Sequence, residues 1–507
     1  MGETMNMIKR ITSLHAFCTH LMIVAAACGV ALIPAGPAAA QRTLTLGDAL
    51  DIAIANSPTI KHYQLSLERS RESLNAQRAG LKSQFSLNLT PISYSRDRRF
   101  ESLISQWYRN ESTTSMAGFI VEQPLRWTDG TLTLRNQFMW QDVYTGYTDS
   151  RSRTYSNNLS ISFDQPIFTY NRKKLDLRRL ELEYENANLS YAIQRLRLEK
   201  LVTEAFFDVY RNKMQLEIDI EAFENQQNSY GIMKNKVDAG LEKREEFYQS
   251  EVDLATKRAN MQNSQVTLEN SYDHFKELIG ISIFDEIAIN EDISYQPVPT
   301  DLQMALDHGL EYRMELQQRR IDIENQRMEL TRASAQNEFM GNINLTYGSF
   351  GTDERFGDIY DAPDRDEQVT VSLEIPLWDW GRKKASIRAV EAGIAAGELS
   401  LDEERSGIII DIRRAYRNLQ NQAIQIDIAR KSVRNAQLTY DISLERYKNG
   451  DLTSMDLNLQ QIQLSEKKMQ EVSALINYRL ALLELKIQSL WDFERNESVV
   501  PRVKTER

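Results

Sequence analysis

Side chains that could perform chemistry are scattered along this sequence, and they do not form a catalytic set. Beyond residue 40 the histidines are His62, His274 and His308, which lie on unrelated segments. The sequence contains no phosphate-binding loop, nucleophile elbow or metal-ligand spacing. Its 72 aspartates and glutamates are spread in the way expected of solvated helix faces. We therefore expect a protein that is not an enzyme and binds no cofactor or metal, so its function must depend on its architecture.

The first 40 residues have the character of a secretory signal peptide. Basic residues precede an apolar run, and Ala38-Ala39-Ala40 provides a small-residue cleavage site. Both cysteines, Cys18 and Cys28, fall in this segment, so the exported chain would have no thiol chemistry. Attachment of a lipid to Cys28, within a weak lipobox, is the competing interpretation.

The charge and hydropathy of the chain exclude several classes of function. A net charge of -11 argues against nucleic-acid binding, which depends on the neutralisation of phosphates. After residue 40 no apolar run approaches the ~20 residues that a membrane helix requires. An exported protein of this kind is soluble, lipid-anchored or a membrane β-barrel.

Two ladders with a seven-residue spacing predict unusually long helices. The ladders are Val202, Val209, Leu216, Phe223, Tyr230, Val237 and Ile412, Leu419, Ile426, Val433, Tyr440, Tyr447. Such a repeat is typical of a helix that supercoils against its neighbours. Each ladder is followed by a glycine, Gly240 or Gly450, which suits a helix C-terminus. We expect two helical hairpins, 172–239 with 243–278 and 382–447 with 453–490, whose longer arms measure roughly 100 Å.

Alternation of apolar and polar residues predicts six strands between these helices. The alternating segments begin near Phe85, Ala117, Leu132, Leu159, Ile343 and Val369. Each has about the ~9–11 residues that a tilted strand needs to cross a bilayer. Polar segments at 93–114, 141–156 and 350–367 are interpreted as long loops. A soluble β-sandwich would alternate equally well, but it does not explain why strands lead directly into helices of ~100 Å.

The sequence also contains an internal duplication. Pro166 and Pro376 lie 210 positions apart, as do Arg172-Lys173-Lys174 and Arg382-Lys383-Lys384. Upstream, Asn88-Leu89-Thr90 and Asn344-Leu345-Thr346 lie 256 positions apart, so the first repeat has 46 extra residues. We predict a first repeat at 41–280 with an inserted hairpin at 115–141, and a connector at 281–300. A second repeat at 301–490 and a C-terminal tail at 491–507 complete the chain.

The whole mature chain resembles the TolC outer-membrane efflux family. The resemblance rests on the duplicated unit, on Pro166 and Pro376, which lie where strands enter helices, and on residues 446–457, RYKNGDLTSMDL. That segment is similar to the family's R-Y-x-x-G-x-x-x-x-x-D-V-L pattern. The resemblance implies an α+β membrane protein, in which a long antiparallel coiled-coil α-barrel continues a transmembrane β-barrel shared by a homotrimer.

The resemblance also implies a function and a location. The chain would be a passive export duct in the outer membrane, with a long periplasmic extension. It would serve a tripartite efflux pump or a type I secretion system, with a periplasmic adaptor protein and an inner-membrane transporter as partners. The transported substrate is left open, as is the alternative of a non-conducting periplasmic scaffold or adaptor, which would not need six membrane-length strands.

The second hairpin tip departs from the family pattern. Asp456 occupies the first of two entrance positions that are often aspartate, but Leu459 occupies the second, and Leu452 stands where a basic residue sometimes occurs. Asp456 would form a carboxylate ring at the periplasmic mouth, or would cap a helix together with Thr453; both roles are compatible. Tyr447 is assigned to packing, with a possible gate contact.

Further candidate sites follow from position. The exposed hairpin tips, with Gly240, Leu241, Gly450 and Leu452, are the expected adaptor-docking points, and Asp451 is assigned to the entrance.

The two basic triplets lie where strand becomes helix, near the membrane rim. Two interpretations of these cations stay open: contact with lipid phosphates, or simple exposure on a solvated face. Trp127, Trp140, Trp378 and Trp380 suit an aromatic girdle. The inserted hairpin suggests six strands per subunit and ~18 in a trimer, if it joins the barrel wall.

Overall fold

The computed structural model describes residues 42–102, 105–290 and 295–500. The predicted signal peptide with Cys28, and the end of the predicted tail, lie outside this part of the chain. The described elements are, in order, β1 (Arg42–Leu44), α1 (Leu46–Asn56), α2 (Pro58–Gly80), β2 (Gln84–Glu101), β3 (Gln106–Pro124), β4 (Thr131–Thr145), β5 (Ser150–Ile167), α3 (Arg172–Asp238), α4 (Arg244–Ile279), β6 (Ile287–Ile289), α5 (Leu302–Tyr312), α6 (Met314–Ser334), β7 (Met340–Asp353), β8 (Asp364–Glu374), α7 (Arg382–Asn449), α8 (Ser454–Ser489), β9 (Trp491–Asp492) and β10 (Glu497–Ser498).

The two longest elements are α3 and α7, with 67 and 68 residues, or roughly 100 Å each. Each packs along two shorter helices: α2 and α4 lie beside α3, and α6 and α8 lie beside α7. The ladder residues Val202, Ile412 and Tyr447 are fully buried, which confirms that the seven-residue repeat marks a packed side. Among the described helices, none is both long enough and apolar enough to cross a membrane.

Two hydrophobic cores hold the short helices against the long ones. In the first, Ala49 of α1 packs with Phe206 of α3 and Phe275 of α4, all fully buried. In the second, Ala305 of α5 packs with Ile412 of α7 in the corresponding way. Small residues on the short helices allow this close approach, since alanine leaves room for the large side chains opposite.

The connector and the tail have more structure than the sequence suggested. Within the predicted connector, β6 pairs in parallel with β1, and Leu44 lies opposite Ile289. In the predicted tail, β9 pairs with β10. Both segments are too short to show a periodic pattern, which explains why they were assigned no strand.

One antiparallel sheet contains six strands of the described chain. Their order is β2-β3-β4-β5-β7-β8, and each neighbouring pair is antiparallel. The inserted hairpin, β3 and β4, therefore lies within the sheet, hydrogen-bonded to β2 on one side and β5 on the other.

The prediction of long loops at 93–114, 141–156 and 350–367 was largely wrong. Strands β2 and β3 stay paired out to Glu101 and Gln106, and β4 and β5 out to Thr145 and Ser150. Between β7 and β8 the connection is confined to 354–363. These outer strand segments are mainly polar on both faces, so the alternation that identifies strands disappears, although their Thr and Tyr residues favour extended backbone.

The register gives the sheet one apolar and one polar face. Phe85, Phe119 and Ile161 lie on the same face as Val369, and the side chains between them point to the other face. The apolar face is open: Phe85 is 70% exposed and Val369 is 73% exposed. The opposite face carries mainly polar residues, among them Asn88, Gln137, Ser160, Asn344 and Thr370. An apolar outer face with a polar inner face is the pattern of a transmembrane barrel wall.

Candidate functional site

The two hairpin tips are built in the same way. Helix α3 ends at Gly240, whose φ is +75°, and α7 ends at Gly450, whose φ is +88°. In both, the residue after the glycine donates its N–H to a carbonyl five positions back: Leu241 to Lys236 at 2.8 Å, and Asp451 to Arg446 at 2.9 Å. This is the hydrogen-bond pattern of a glycine-terminated helix. Both glycines are therefore required by backbone conformation.

Tyr447 lies at the centre of a small core beneath the second tip. Its side chain is fully buried, and the same cluster contains Met233 from α3, Tyr440 from α7 and Leu457 and Leu464 from α8. Leu452 packs against this cluster. The packing role predicted for Tyr447 is thus present, and the cluster joins the second hairpin to the first.

Polar contacts of Tyr447 add a specific connection between the hairpins, here named the tip latch (Tyr447, Ser229 and Lys236). The Tyr447 hydroxyl donates to the Ser229 carbonyl at 3.2 Å. In the other direction, Lys236 Nζ donates to the Tyr447 carbonyl at 2.5 Å and lies 4.8 Å from the ring centroid. Burial raises the pKa of Tyr447 to about 12, so the hydroxyl keeps its proton and remains a donor at neutral pH.

Thr453 caps α8, and Asp456 lies in the first turn of that helix. The Asp456 backbone N–H donates to Thr453 Oγ1 at 3.1 Å, and Thr453 Oγ1 donates to the Asp456 carboxylate at 2.8 Å. The carboxylate is nevertheless exposed, so the cap leaves its charge facing solvent. Of the other predicted tip residues, Asp451 is exposed and Leu241 is 75% exposed, whereas Leu452 is half-buried.

At the first strand-to-helix junction, a carboxylate from the inserted hairpin organises the start of α3. Asp129, in the β3–β4 turn, is only 4% exposed. It accepts hydrogen bonds from Arg172 Nε at 3.0 Å and from the Lys173 backbone N–H at 3.1 Å. Lys173 Nζ also donates to the Gly130 carbonyl at 3.0 Å. Burial opposes ionisation of Asp129, but the bonds from Arg172 and Lys173 outweigh it and lower the pKa of this carboxyl.

The second junction uses a different carboxylate for the same purpose. Asp379 accepts the backbone N–H groups of Gly381 at 2.8 Å and Lys383 at 3.0 Å. The hydrogen bonds from the Lys383 and Gly381 N–H groups lower the pKa of Asp379. Lys383 Nζ also donates to Glu338 at 2.6 Å. Negative charge at each helix start thus compensates the cations that would otherwise oppose the helix dipole.

The two junction prolines occupy unlike positions. Pro166 is still within β5 and lies opposite Asn342 of β7, whereas Pro376 follows the end of β8. The structure also separates the basic triplets into two groups. Arg172, Lys173 and Lys383 bind carboxylates of their own chain, while Lys174, Arg382 and Lys384 are exposed. Trp127, Trp378 and Trp380 are exposed near the same junctions, and Trp140 is half-buried within β4.

Sequence reasoning missed four residues at these sites. Ser229 and Lys236 were not found because a helical repeat identifies the packed side of a helix but not the groups that another helix places opposite. Asp129 and Asp379 were not assigned to any site. A signal was available for the aspartates, since three cations at a helix start require a nearby anion.

Comparison with known proteins agrees with this architecture. The family model described as outer membrane efflux protein matches residues 49–280 and 310–487. Fusaric acid resistance protein FusA of Burkholderia cepacia is 24% identical over 279 residues, or 53% of this chain and 51% of that protein. The match therefore spans about half the length of this curated relative.

Several solved outer-membrane channels have the same fold. VceC of Vibrio cholerae aligns with a TM-score of 0.64 and 14% identity over 88% of this chain and 95% of its own. CmeC of Campylobacter jejuni aligns with a TM-score of 0.64 and 13% identity over 88% and 85%. The open state of MtrE of Neisseria gonorrhoeae aligns with a TM-score of 0.63 and 14% identity over 88% of both chains. These channels combine an α-barrel with a β-barrel.

Replacing Asp129 with Asn should loosen the start of α3. Asparagine tolerates the positive φ of +67° at this position, so the change removes charge and little else. At pH 7 we expect amide exchange at 172–175 to quicken about tenfold, since a hydrogen bond to a charged group contributes ~1.5–3 kcal/mol. Hydrogen exchange read by mass spectrometry measures this directly.

The difference in amide exchange between Asp129→Asn and the parent protein should disappear as the pH falls. A lowered folded-state pKa stabilises the junction above the ordinary aspartate pKa of about 3.9, and this contribution is lost as the pH falls through the folded value. The two proteins should therefore converge in acid. Asp361→Asn, in the exposed β7–β8 connection, is the control. Equal exchange of Asp129→Asn and the parent protein at pH 7 would contradict the assignment.

Proposed function

This chain belongs to the outer membrane efflux protein family, and from that premise we propose that three copies form a passive export duct across the outer membrane and periplasm. The observation that supports this most directly is the sheet, which exposes a mainly apolar face and leads into two helical hairpins of roughly 100 Å. The apolar face would contact lipid, and the hairpins would extend the conduit into the periplasm. A non-conducting scaffold would have no use for such a face.

Closure of the wall is the reason for proposing a trimer. In the described chain, β2 and β8 are the edge strands of the sheet, and unpaired strand edges are not tolerated in lipid. Pairing β2 of one protomer with β8 of the next would satisfy both edges. Three sheets would give a barrel of ~18 strands, wide enough for an aqueous channel.

Purification in detergent followed by planar-bilayer recording tests the duct. We expect a trimer by light scattering and stepwise conductance on insertion. Val371 and Ser372 provide a matched pair, because neighbouring residues of β8 face opposite sides. Val371→Arg puts a charge on the apolar face, at ~2–4 kcal/mol near the bilayer midplane, and should prevent insertion; Ser372→Arg should still insert. A monomer without conductance would overturn the proposal.

The tip latch is proposed to hold the periplasmic end closed. It connects the two hairpins of one protomer through Tyr447, Ser229 and Lys236, close to the point where α7 turns into α8. Separation of the hairpins would break both hydrogen bonds. The fully buried position of the Tyr447 ring makes these bonds less accessible to competing water.

Removal of the latch should open the channel. Tyr447→Phe eliminates the bond to Ser229 while keeping the ring, and Lys236→Met eliminates the bond to the Tyr447 carbonyl. We expect the double variant to show severalfold higher conductance at low voltage, since each bond contributes ~0.5–1.5 kcal/mol to the closed state. Tyr248→Phe, at an exposed tyrosine near the other tip, is the control. Unaltered conductance in the double variant would count against a latch.

Asp456 is proposed to form a ring of three carboxylates at the mouth. Such rings bind and select cations, and the exposed carboxylate supports this role alongside its capping contact. Asp456→Asn keeps an oxygen that can accept from Thr453 but removes the charge. We expect block of the current by multivalent cations to weaken in Asp456→Asn and to persist in Thr453→Ala. If block is equally strong without the carboxylate, the ring is wrong.

The proposed partners are a periplasmic adaptor and an inner-membrane transporter. The exposed Leu241, beside Gly240, supports adaptor docking at the first tip, and Gly450 with Leu452 forms the corresponding turn of the second.

The exposed Lys174, Arg382 and Lys384 are proposed to contact lipid phosphates at the periplasmic rim. Small-molecule efflux is proposed over protein secretion, because the curated relative is named for resistance to a small organic acid.

A further inference from the structure

The outer part of the sheet carries a cluster of arginines that the duct function does not use. On β2 the apolar face runs from Phe85 to Tyr94, and the next two residues on that face are Arg96 and Arg98. On β5 the same face ends with Arg153 and Arg151. The strands therefore change from apolar to cationic on the side that faces away from the polar inner face.

The strand register brings these residues together. Arg96, Glu111, Tyr144 and Arg151 lie in one row across four strands, and Arg98 lies opposite Arg109 in the next row. Side-chain contacts agree with the register: Arg96 and Arg109 lie 3.6 and 3.3 Å from Glu111. The Arg109 guanidinium carbon lies 5.7 Å from the Tyr144 ring centroid. We name Arg96, Arg98, Arg109, Arg151 and Arg153 the arginine rows.

Positive charge predominates among the arginine rows. On the same face of β2–β5, beyond the apolar region, the described residues include two carboxylates, Glu111 and Asp142. Asp142 accepts from Arg151 at 2.7 Å and from Arg153 at 3.0 Å, which fixes these two side chains. A guanidinium has five N–H donors, so one carboxylate contact leaves others available. Arg96 is 56% exposed and Arg151 is 62% exposed, so those donors are accessible.

A shallow cavity of about 510 Å³ lies at this cluster. Its lining includes Arg96, Arg98, Arg109, Trp107 and Tyr144. Trp107 and Phe100 pack together at the outer end, with ring centroids 5.4 Å apart. Several guanidinium groups beside aromatic rings form a surface suited to a phosphate attached to a sugar, because arginine binds phosphate bidentately and aromatic rings favour the boundary between lipid and water.

The height of the arginine rows matches the headgroup layer. From Phe85 to Tyr94 the strand rises roughly 30 Å along its own direction. With a tilt of ~35–45° this corresponds to roughly 21–25 Å of thickness, which is close to the ~25 Å height of the apolar band of an outer-membrane barrel. Arg96 follows directly, on the end of the sheet away from the long helices, and so at the outer leaflet of the membrane.

We propose that the arginine rows bind the phosphates of phosphorylated glycolipid headgroups in the outer leaflet. The inference rests on the proposed function, since it requires the sheet to span the outer membrane with its helices in the periplasm. Bound headgroups would occupy the cleft between the β2–β3 and β4–β5 hairpins. Their phosphates would neutralise the positive charge, and their sugars would lie against Trp107.

Titration of the detergent-purified full chain with lipid A, followed by native mass spectrometry, tests this proposal. The probes are bisphosphorylated lipid A, the same lipid without phosphates, and inorganic phosphate. We expect the bisphosphorylated lipid to bind about tenfold or more tightly than the dephosphorylated form, since arginines near the membrane surface attract anionic headgroups. Arg96→Gln/Arg98→Gln/Arg109→Gln should remove this preference.

Arg99→Gln/Arg135→Gln is the matched control, because these arginines lie on the polar face of the same strands. It should bind the lipid as the parent protein does. Equal lipid binding by the triple variant, or equal binding of lipid and free phosphate, would overturn the proposal. Conductance of every variant is recorded in parallel. A parent protein that forms normal channels but does not prefer the phosphorylated lipid refutes the lipid site alone, whereas absence of channels in the parent protein refutes the proposed duct.

Discussion

In hydrocarbon an unpaired backbone N–H or C=O costs several kcal/mol, and the whole architecture depends on meeting this constraint. Within the chain, strand pairing satisfies the backbone groups of the inner strands of the sheet. The hydrogen bonds between strands continue well beyond the apolar region. Each edge strand, β2 or β8, pairs with one neighbouring strand of the described sheet, so the backbone groups along its other edge are available to a partner. A chain with a lipid-facing sheet and two such edges is incomplete by itself, and assembly is the means proposed to complete it.

The change from strand to helix is the second place where the structure must offset an unfavourable interaction. Each long helix starts with three cations, where the helix dipole disfavours them. The first repeat meets this with Asp129 from the inserted hairpin, and the second with Asp379, a few residues ahead of its helix. Similar sequences at the two junctions are therefore supported by unrelated anions. In the first repeat, the hairpin contributes to the helix start as well as to the sheet.

The sequence was most informative where a period was long and unbroken. The ends of α3 and α7 were predicted within a few residues, because no proline interrupts the ladders and glycine ends them. The outer parts of β2–β5 were missed because both faces of these strands are polar, and pairing rather than alternation creates them. The tip latch was half predicted: Tyr447 followed from its ladder, but Lys236 and Ser229 depend on how the hairpins pack. The junction carboxylates depend likewise on contacts between separate segments.

The tip latch lies entirely within one chain, because Tyr447 and its partners Ser229 and Lys236 belong to the two hairpins of a single protomer. In the proposed assembly, release of the latch would then be a local event that each subunit undergoes by itself. The proposed trimer would have four latch states, with none, one, two or three latches released. An entrance built in the proposed way would have intermediate apertures, so a partner that engages a single subunit would widen the mouth by a fraction before the other two respond.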